Sequence, residues 1–191
     1  MATKRNVESR TPSKTELETL FTAVKKRAEE LGIKTILVAS SSGETGARTA
    51  EFFQGYNVVV VTHSTGFVAP DVQELTGENR ERIIKAGGKI LTTTHAMGGI
   101  GRAIRRKFDT CQVDEIIANT LRIFGQGVKV AVEIAIMAAD SGLISVKEHV
   151  ISIGGTGKSA DTALVLKAAN VQDFFDVKVN EVIRKPWLQA A

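Results

Sequence analysis

The sequence has few of the residues that build disulfide-bonded scaffolds or aromatic binding platforms. Its 191 residues include one cysteine, one tryptophan and one tyrosine. Cys111 alone cannot form an internal disulfide, which fits a reducing cytoplasm, and we expect it to be a partly buried small hydrophobic residue. The net charge is +4, but the basic residues are spread among acidic ones and aromatics are scarce. We therefore expect no specific nucleic-acid partner.

Long uninterrupted apolar runs are also missing. The most apolar segment, "GVKVAVEIAIMAADSGLI" at 127–144, contains Lys129, Glu133 and Asp140, which favours a buried helix over a membrane span. The basic N-terminus is not followed by the apolar stretch of an export signal. No zinc-finger or HExxH spacing is present. These patterns predict a cytoplasmic protein with no metal site and no membrane partner.

What the chain does contain is a regular alternation of helix and strand patterns. A helical repeat over 17–31 precedes a β-branched run, and further apolar runs alternate with helical segments. The alternation predicts an α/β fold, a three-layer sandwich whose mostly parallel sheet is covered by helices on both faces. We expect residues 1–12 to be a loosely ordered tail and 13–191 to be a single domain. The predicted strands are "IKTILVA", "NVVVVTH", "KILTTTH", "EHVISIGG", "DTALVLKAA" and "FFDVKVNEVIRKP".

Polar and glycine residues follow four of these strands, at the point where each one ends. Ligands of open parallel sheets bind beyond the carboxyl ends of the strands, so these residues predict one ligand crevice. The candidates are Ser40, Ser41, Ser42, Gly43 and Thr45 after the first strand; His63, Ser64, Thr65, Gly66 and Phe67 after the second; Thr94, His95 and Met97 after the third; and Gly155, Thr156, Gly157 and Lys158 after the fourth.

The segment "SSSGET" at 40–45 is the strongest signal for a phosphate group. A helix N-terminus offers unsatisfied N–H groups and the positive end of its dipole. Ser40, Ser42 and Thr45 would add hydroxyl donors, and Gly43 would let the backbone approach closely. The alternative is helix capping alone, for which one hydroxyl suffices. In the late loop, Lys158 is either a mobile cation for an anion or part of a tight turn.

Three residues are candidates for catalysis: His63, His95 and Lys158. A fourth residue, Glu133, is a candidate for either a structural or a ligand-binding role. His63 and His95 are possible acid–base groups, with Lys158 beside them, although histidines at strand ends are commonly structural. Glu133 lies four residues after Lys129, which favours an ion pair on a solvated stripe. The alternative is a buried carboxylate that bonds a ligand or a strand-end loop.

Four segments carry a family resemblance. "HSTGF", "TTTHAMGGIGRAIRRKF", "LRIFGQGVKVAVEIAIMAADSGLI" and "GGTGKSADTALVL" are similar to stand-alone archaeal and bacterial proteins related to the C-terminal domain of pyruvate kinase, over residues 14–187. "KTILVASSSGETGARTAEFF" resembles the loop with which that domain holds a phosphate of a sugar bisphosphate effector. By position, the resemblance implies Ser40, Ser42, Gly43 and Thr45 as phosphate donors, with Ser41 where the kinases often have lysine.

The resemblance also implies a function. The barrel that performs phosphoryl transfer is not part of these residues, so pyruvate kinase activity is not expected. Flavin mononucleotide (FMN) is the ligand it implies, with the phosphate on Ser40–Thr45 and the ring against 63–67 and 92–97; another phosphorylated metabolite is the alternative. The chain would be a sensor or carrier, or else a small flavin-dependent or hydrolytic enzyme using His63, His95 or Lys158. A third possibility is an oligomeric interaction protein, and a homo-oligomer through the apolar helix at 128–139 is expected.

Overall fold

The computed structural model describes residues 14–157 and 160–188. Predictions on residues 1–13 and on Lys158 therefore lie outside the described residues. The helices are α1 (Lys14–Leu31), α2 (Glu44–Phe52), α3 (Gly77–Lys85), α4 (Ile100–Phe108), α5 (Val113–Arg122) and α6 (Gln126–Asp140), with a 3-10 helix at Val171–Asp176. The strands are β1 (Thr35–Ala39), β2 (Asn57–Thr62), β3 (Lys89–Thr92), β4 (His149–Gly154), β5 (Thr162–Lys167) and β6 (Lys178–Arg184).

The strands form one sheet in the order β3-β2-β1-β4-β5-β6. The first four are mutually parallel, whereas β5 and β6 are added antiparallel at one end. Nearly every residue of β1, β2 and β4 is buried, because helices cover both faces, and this explains why these strands read as continuous apolar runs. The predicted three-layer α/β sandwich with a mostly parallel sheet is confirmed.

The two faces of the sheet carry separate cores. Helices α1, α2 and α3 pack on the face to which Ile36 and Val38 of β1 point. Helices α5 and α6 pack on the opposite face, against Leu37 and its neighbours. Right-handed crossovers require this, since the chain steps outward from β1 to β3 and must return across the other face to reach β4. The reversal leaves a topological switch point between β1 and β4.

Helix α6 begins directly over the end of β4. A side chain at Gly127 would collide with Thr162, and one at Gly154 would collide with the backbone of Gly127. Two facing glycines therefore allow close helix–sheet contact at this point. Twelve residues of α6 are buried, so its apolar character is accounted for within one chain, and the expected homo-oligomer stays a prediction.

Two local expectations differ from the structure. Cys111 is exposed, not partly buried, because it lies in the segment between α4 and α5, outside both cores. Residues 174–176 belong to the 3-10 helix and not to the last strand, which begins at Lys178. The paired aromatic side chains of Phe174 and Phe175 made that segment resemble a strand, since aromatics are enriched there.

Candidate functional site

The carboxyl ends of β1, β2, β3 and β4 lie side by side at one edge of the sheet, because these strands are adjacent and parallel. Three segments extend from this edge in the described chain: residues 40–43, 63–76 and 93–99. A fourth begins at Gly155 and is described as far as Gly157. The topology therefore brings the predicted loops to one edge, as the sequence indicated.

The hydroxyl loop, residues 40–45, is bonded to the first turn of α2 and covered by Leu75 and Asn79. The buried Ser40 Oγ accepts the N–H of Gly46 (3.0 Å) in the first turn of α2. Gly43 adopts φ +91°, where a side chain would collide with Leu75 and Asn79. Asn79 Nδ2 also donates to the Ser42 carbonyl (3.1 Å). Ser40 thus satisfies one first-turn N–H of α2. The N-cap residue is Gly43, which is needed both for its left-handed backbone and for close packing.

Three hydroxyls of this loop remain available. Ser42 is exposed, and Ser41 and Thr45 are half-buried. Within residues 14–157 and 160–188, the side chains of these three residues form no hydrogen bond. The capping and the phosphate-binding interpretations therefore fall on different residues of the loop, with Ser40 serving the helix and the other hydroxyls open to a ligand.

Three flat side chains meet beyond β2 and β3, and we call them the ring cluster: His63, Phe67 and His95. The Phe67 ring lies 4.1 Å from His63 and 4.9 Å from His95, centroid to centroid, at interplanar angles of 31° and 34°. The Arg102 guanidinium lies 4.6 Å from the Phe67 centroid, within the range of a cation–π contact. Positions 63, 67 and 95 were all expected at the crevice.

His63 is held in place by its own loop. Its Nδ1 lies 2.6 Å from Glu74 Oε2, and its carbonyl accepts from Gln73 Nε2 (3.1 Å). The Gly66 N–H donates to the Val72 carbonyl (2.9 Å), which closes the loop on itself. The carboxylate orients the imidazole in the way that a carboxylate orients a general base.

His95 is partly buried and lies near two positive side chains, Arg102 and Lys129. Burial lowers the pKa of His95 from 6.5 to about 4, opposed by the nearby Glu133 carboxylate and reinforced by His63 and Arg102. The imidazole is therefore neutral at pH 7. A neutral ring carries one donor and one acceptor nitrogen, so His95 is suited to hydrogen bonding and ring contact more than to holding an anion.

Glu133 and Lys129 form a buried ion pair, each 5% exposed. The expected solvated stripe is therefore wrong. The alternative is confirmed in its second form, because Glu133 Oε1 accepts the N–H of Met97 (2.9 Å) in the loop after β3. Burial lowers the pKa of Lys129, with Glu133 opposing that shift. One carboxylate thus links α6 to the strand-end loop.

The remaining predicted residues lie around this centre. Ser64 is half-buried, Thr65, Gly66 and Thr94 are exposed, and Gly155, Thr156 and Gly157 follow β4 directly. Met97 differs from its predicted surroundings: its side chain is 7% exposed and packs in the core on the α6 face, while its backbone holds Glu133.

Sequence reasoning missed two residues that contact the ring cluster. Glu74 lies eleven residues after His63 in a stretch without periodicity, and no spacing rule connects them. Arg102 was visible only as part of the basic run "RAIRRK". A side chain at Gly98 would meet its guanidinium (2.7 Å), so the glycines at 98–99 were the available sign that something passes close by.

Residues 14–157 and 160–188 contain neither a candidate membrane span nor a candidate metal cluster. No helix among them is long and apolar enough to cross a membrane. Within the same ranges, no group of three or more His, Cys, Asp or Glu side chains is placed to hold a metal ion.

Several solved structures resemble this chain. A pyruvate kinase from Cryptosporidium parvum shares 14% identity, with 84% of this chain and 24% of that chain covered and a TM-score of 0.41. The same enzyme in complex with ADP gives 14% identity, 93% and 25% coverage, and a TM-score of 0.38. O-ureido-L-serine synthase gives 21%, 66% and 39%, with a TM-score of 0.31. The chain thus spans about a quarter of the pyruvate kinases that it matches.

The comparison with protein families gives a clearer result. The family described as "Pyruvate kinase, alpha/beta domain" matches residues 18–166. The match runs from the first turns of α1 to β5, and so includes all four strands whose carboxyl ends lie at this edge of the sheet. With well over half of its residues matched, the chain belongs to the pyruvate kinase alpha/beta domain family.

Proposed function

We propose that this protein binds a phosphorylated small molecule at the carboxyl ends of its parallel strands, as a sensor or carrier without kinase activity. FMN is the ligand to test first, and another phosphorylated metabolite is the alternative. The observation that carries the proposal is that the ring cluster lies beside a loop whose Ser41, Ser42 and Thr45 hydroxyls have no partner among residues 14–157 and 160–188. The two are neighbours, because the Ser40 N–H donates to the Val61 carbonyl (2.9 Å), two residues before His63.

The hydroxyl loop supports the phosphate half of the proposal. Helix α2 begins at Glu44, so its first N–H groups point toward the loop, and the helix dipole favours a negative group there. Ser41, Ser42 and Thr45 supply hydroxyl donors that no other side chain uses within the described ranges. The Glu44 carboxylate does not oppose an anion at full strength, since it is paired with Arg82 (2.7 Å).

The ring cluster supports the flat half of the ligand. Aromatic faces at centroid distances of 4.1–5.4 Å form a surface on which a planar heterocycle can stack. Stacking on an aromatic side chain contributes about 1–3 kcal/mol per ring. Neutral His95 adds a donor and an acceptor at the edge of this surface.

The test is an absorbance spectrum of the freshly purified protein from about 300 to 550 nm. Flavin bands at about 375 and 450 nm are the chromophore's own property, so their presence identifies bound flavin. We expect Ser42→Asp to remove the bands, because the added carboxylate repels phosphate. Ser145→Asp is the matched control: Ser145 is exposed between α6 and β4, and its oxygen accepts from the Lys147 N–H, which aspartate can also do.

A second variant tests the contact with the FMN ring separately from the contact with its phosphate. Phe67→Leu keeps apolar bulk but removes the aromatic ring. It should weaken FMN binding by about tenfold or more. A colourless protein that also shows no thermal shift with added FMN would rule out the flavin, and titration with sugar phosphates would follow.

One observation favours a second candidate, a small flavin-dependent or hydrolytic enzyme. The His63–Glu74 contact of 2.6 Å is the geometry of a histidine held for proton transfer. The activity to measure is flavin-dependent oxidation of an added reductant, or hydrolysis of a phosphoester. Loss of that activity in Glu74→Gln, with FMN affinity kept, would establish this candidate. Unchanged rates in that variant would leave binding as the function.

A further inference from the structure

A second feature near the crevice is a cavity between α4, α5 and α6, on the face opposite the hydroxyl loop. Its volume is about 100 Å³. Four cationic side chains line it, together with the Asn119 amide and one carboxylate, Glu115: they are Arg102, Arg105, Arg122 and Lys129. Sites for whole small molecules measure about 300–1,000 Å³, whereas one water needs about 10–15 Å³. The cavity therefore suits a single compact group.

The charges around the cavity do not cancel. Arg105 pairs with Glu115 (2.8 Å), and Lys129 pairs with the buried Glu133. Within the described residues, Arg122 bonds the neutral oxygens of Asn119 and Gln126 (2.7 Å each). Arg102 forms no ion pair and no hydrogen bond within the described part of the chain, and contacts the Phe67 ring. Four cations thus accompany two carboxylates, Glu115 and Glu133, and within the described residues neither Arg102 nor Arg122 has a carboxylate at ion-pair distance.

The cations are also fixed in advance. Bonds to Glu115, Asn119, Gln126 and Glu133 hold three of the four side chains, so little further ordering is needed on binding. Burial lowers the pKa of Arg102, and the neighbouring Arg106 adds to that shift; an anion would relieve both. Guanidinium groups match phosphate oxygens in planar, two-point contacts.

We propose that this cavity is a binding site for a phosphate-sized dianion, separate from the hydroxyl loop. A phosphomonoester carries close to two negative charges at pH 7, which matches the uncompensated charge. The group is either the phosphate of an organic ligand that also contacts the ring cluster, which Arg102 joins to the cavity, or free inorganic phosphate. The site stands on its own residues and does not require that FMN be the ligand.

The test is a calorimetric titration of the full chain with inorganic phosphate. Arg102→Gln and Arg122→Gln should each weaken binding at least about tenfold, because each removes a charge-assisted hydrogen bond. Lys85→Gln is the control, since Lys85 is an exposed cation in the last turn of α3, on the other face of the sheet, and does not line the cavity. Sulfate should compete with phosphate, and chloride at equal ionic strength should not. Melting temperatures without phosphate verify that each variant is folded.

Repeating the titration with saturating FMN distinguishes the two sources. Exclusion of phosphate by FMN means that the cavity holds the phosphate of the organic ligand, and simultaneous binding means that it holds free phosphate. Absence of saturable phosphate binding, no weakening in Arg102→Gln and Arg122→Gln, or equal weakening in Lys85→Gln would overturn the proposal. If FMN fails to bind while arginine-dependent phosphate binding persists, only the proposed function fails. FMN binding that is sensitive to Ser42→Asp, with no phosphate binding at the cavity, would reject only this site.

Discussion

The α2 side of the sheet edge is built from hydroxyl groups and backbone amides, whereas the α6 side is built from charged side chains, of which Lys129 and Glu133 are buried. On the first side, Ser42 is exposed and Ser40 satisfies one helix N–H. On the second, Lys129 and Glu133 are both 5% exposed and depend on each other. Neutral hydroxyls tolerate either water or a ligand, but a buried charge requires a partner at all times. The two sides should therefore respond very differently to substitution.

The largest effect is expected on the α6 side. Lys129→Met leaves the buried Glu133 without its counter-charge, which should lower the free energy of unfolding by about 3–5 kcal/mol. Adding Glu133→Gln should recover most of this loss, because the amide oxygen can still accept from the Met97 N–H. Urea unfolding at pH 7 measures both variants.

Its control is an ion pair of the same spacing on the protein surface. Lys26 and Glu30 are also i and i+4, but the Lys26 side chain is 79% exposed and the distance is 4.0 Å. Lys26→Met should change stability very little, since exposed pairs contribute little. If Lys129→Met were equally harmless, the two sides of the edge would not differ as argued.

How far the sequence predicted this molecule depends on whether the signal was local. Strand ends and the hydroxyl loop are consecutive residues, so their placement follows once the sheet is parallel. The burial of Lys129 and Glu133 was not accessible in this way, because a lysine and a glutamate four apart have the same spacing on a solvated helix as on a buried one. Arg102 above Phe67 and Glu74 beside His63 depend on how loops fold back, which neither periodicity nor propensity encodes.

A smaller effect on stability is expected from His95, which lies in the loop between the two sides. The pKa of His95 falls from 6.5 in the unfolded chain to about 4 in the folded one. Below pH 6.5 the unfolded chain therefore binds a proton that the folded chain takes up only near pH 4. Stability is fully present above pH 6.5 and is lost as pH falls toward 4. Because His95 is only half-buried and solvent screens part of the effect, the loss should be well below the roughly 3 kcal/mol that such a shift would carry in a fully buried group.

Replacing the imidazole isolates this contribution. His95→Gln should lose less stability than the wild type between pH 7 and pH 4, measured by urea unfolding at each pH. His149→Gln is the control, since His149 is exposed at the start of β4, and it should follow the wild type. Identical pH profiles for all three proteins would show that burial does not lower the pKa of His95.

The smallest effects separate two serines within the hydroxyl loop. Ser40→Ala removes the acceptor for the buried Gly46 N–H and should cost about 1 kcal/mol of unfolding free energy, as other helix caps do. Ser42→Ala removes an exposed hydroxyl without a partner in the described ranges and should leave stability unchanged. If the loop binds phosphate, Ser42→Ala should have the larger effect on ligand affinity. It should weaken FMN binding while the protein remains as stable as the wild type. Thermal melts with and without FMN on the two variants measure both quantities. A loop in which only Ser40→Ala has any effect would be a helix cap and nothing more, and anion binding at this edge would then belong to the α6 side alone.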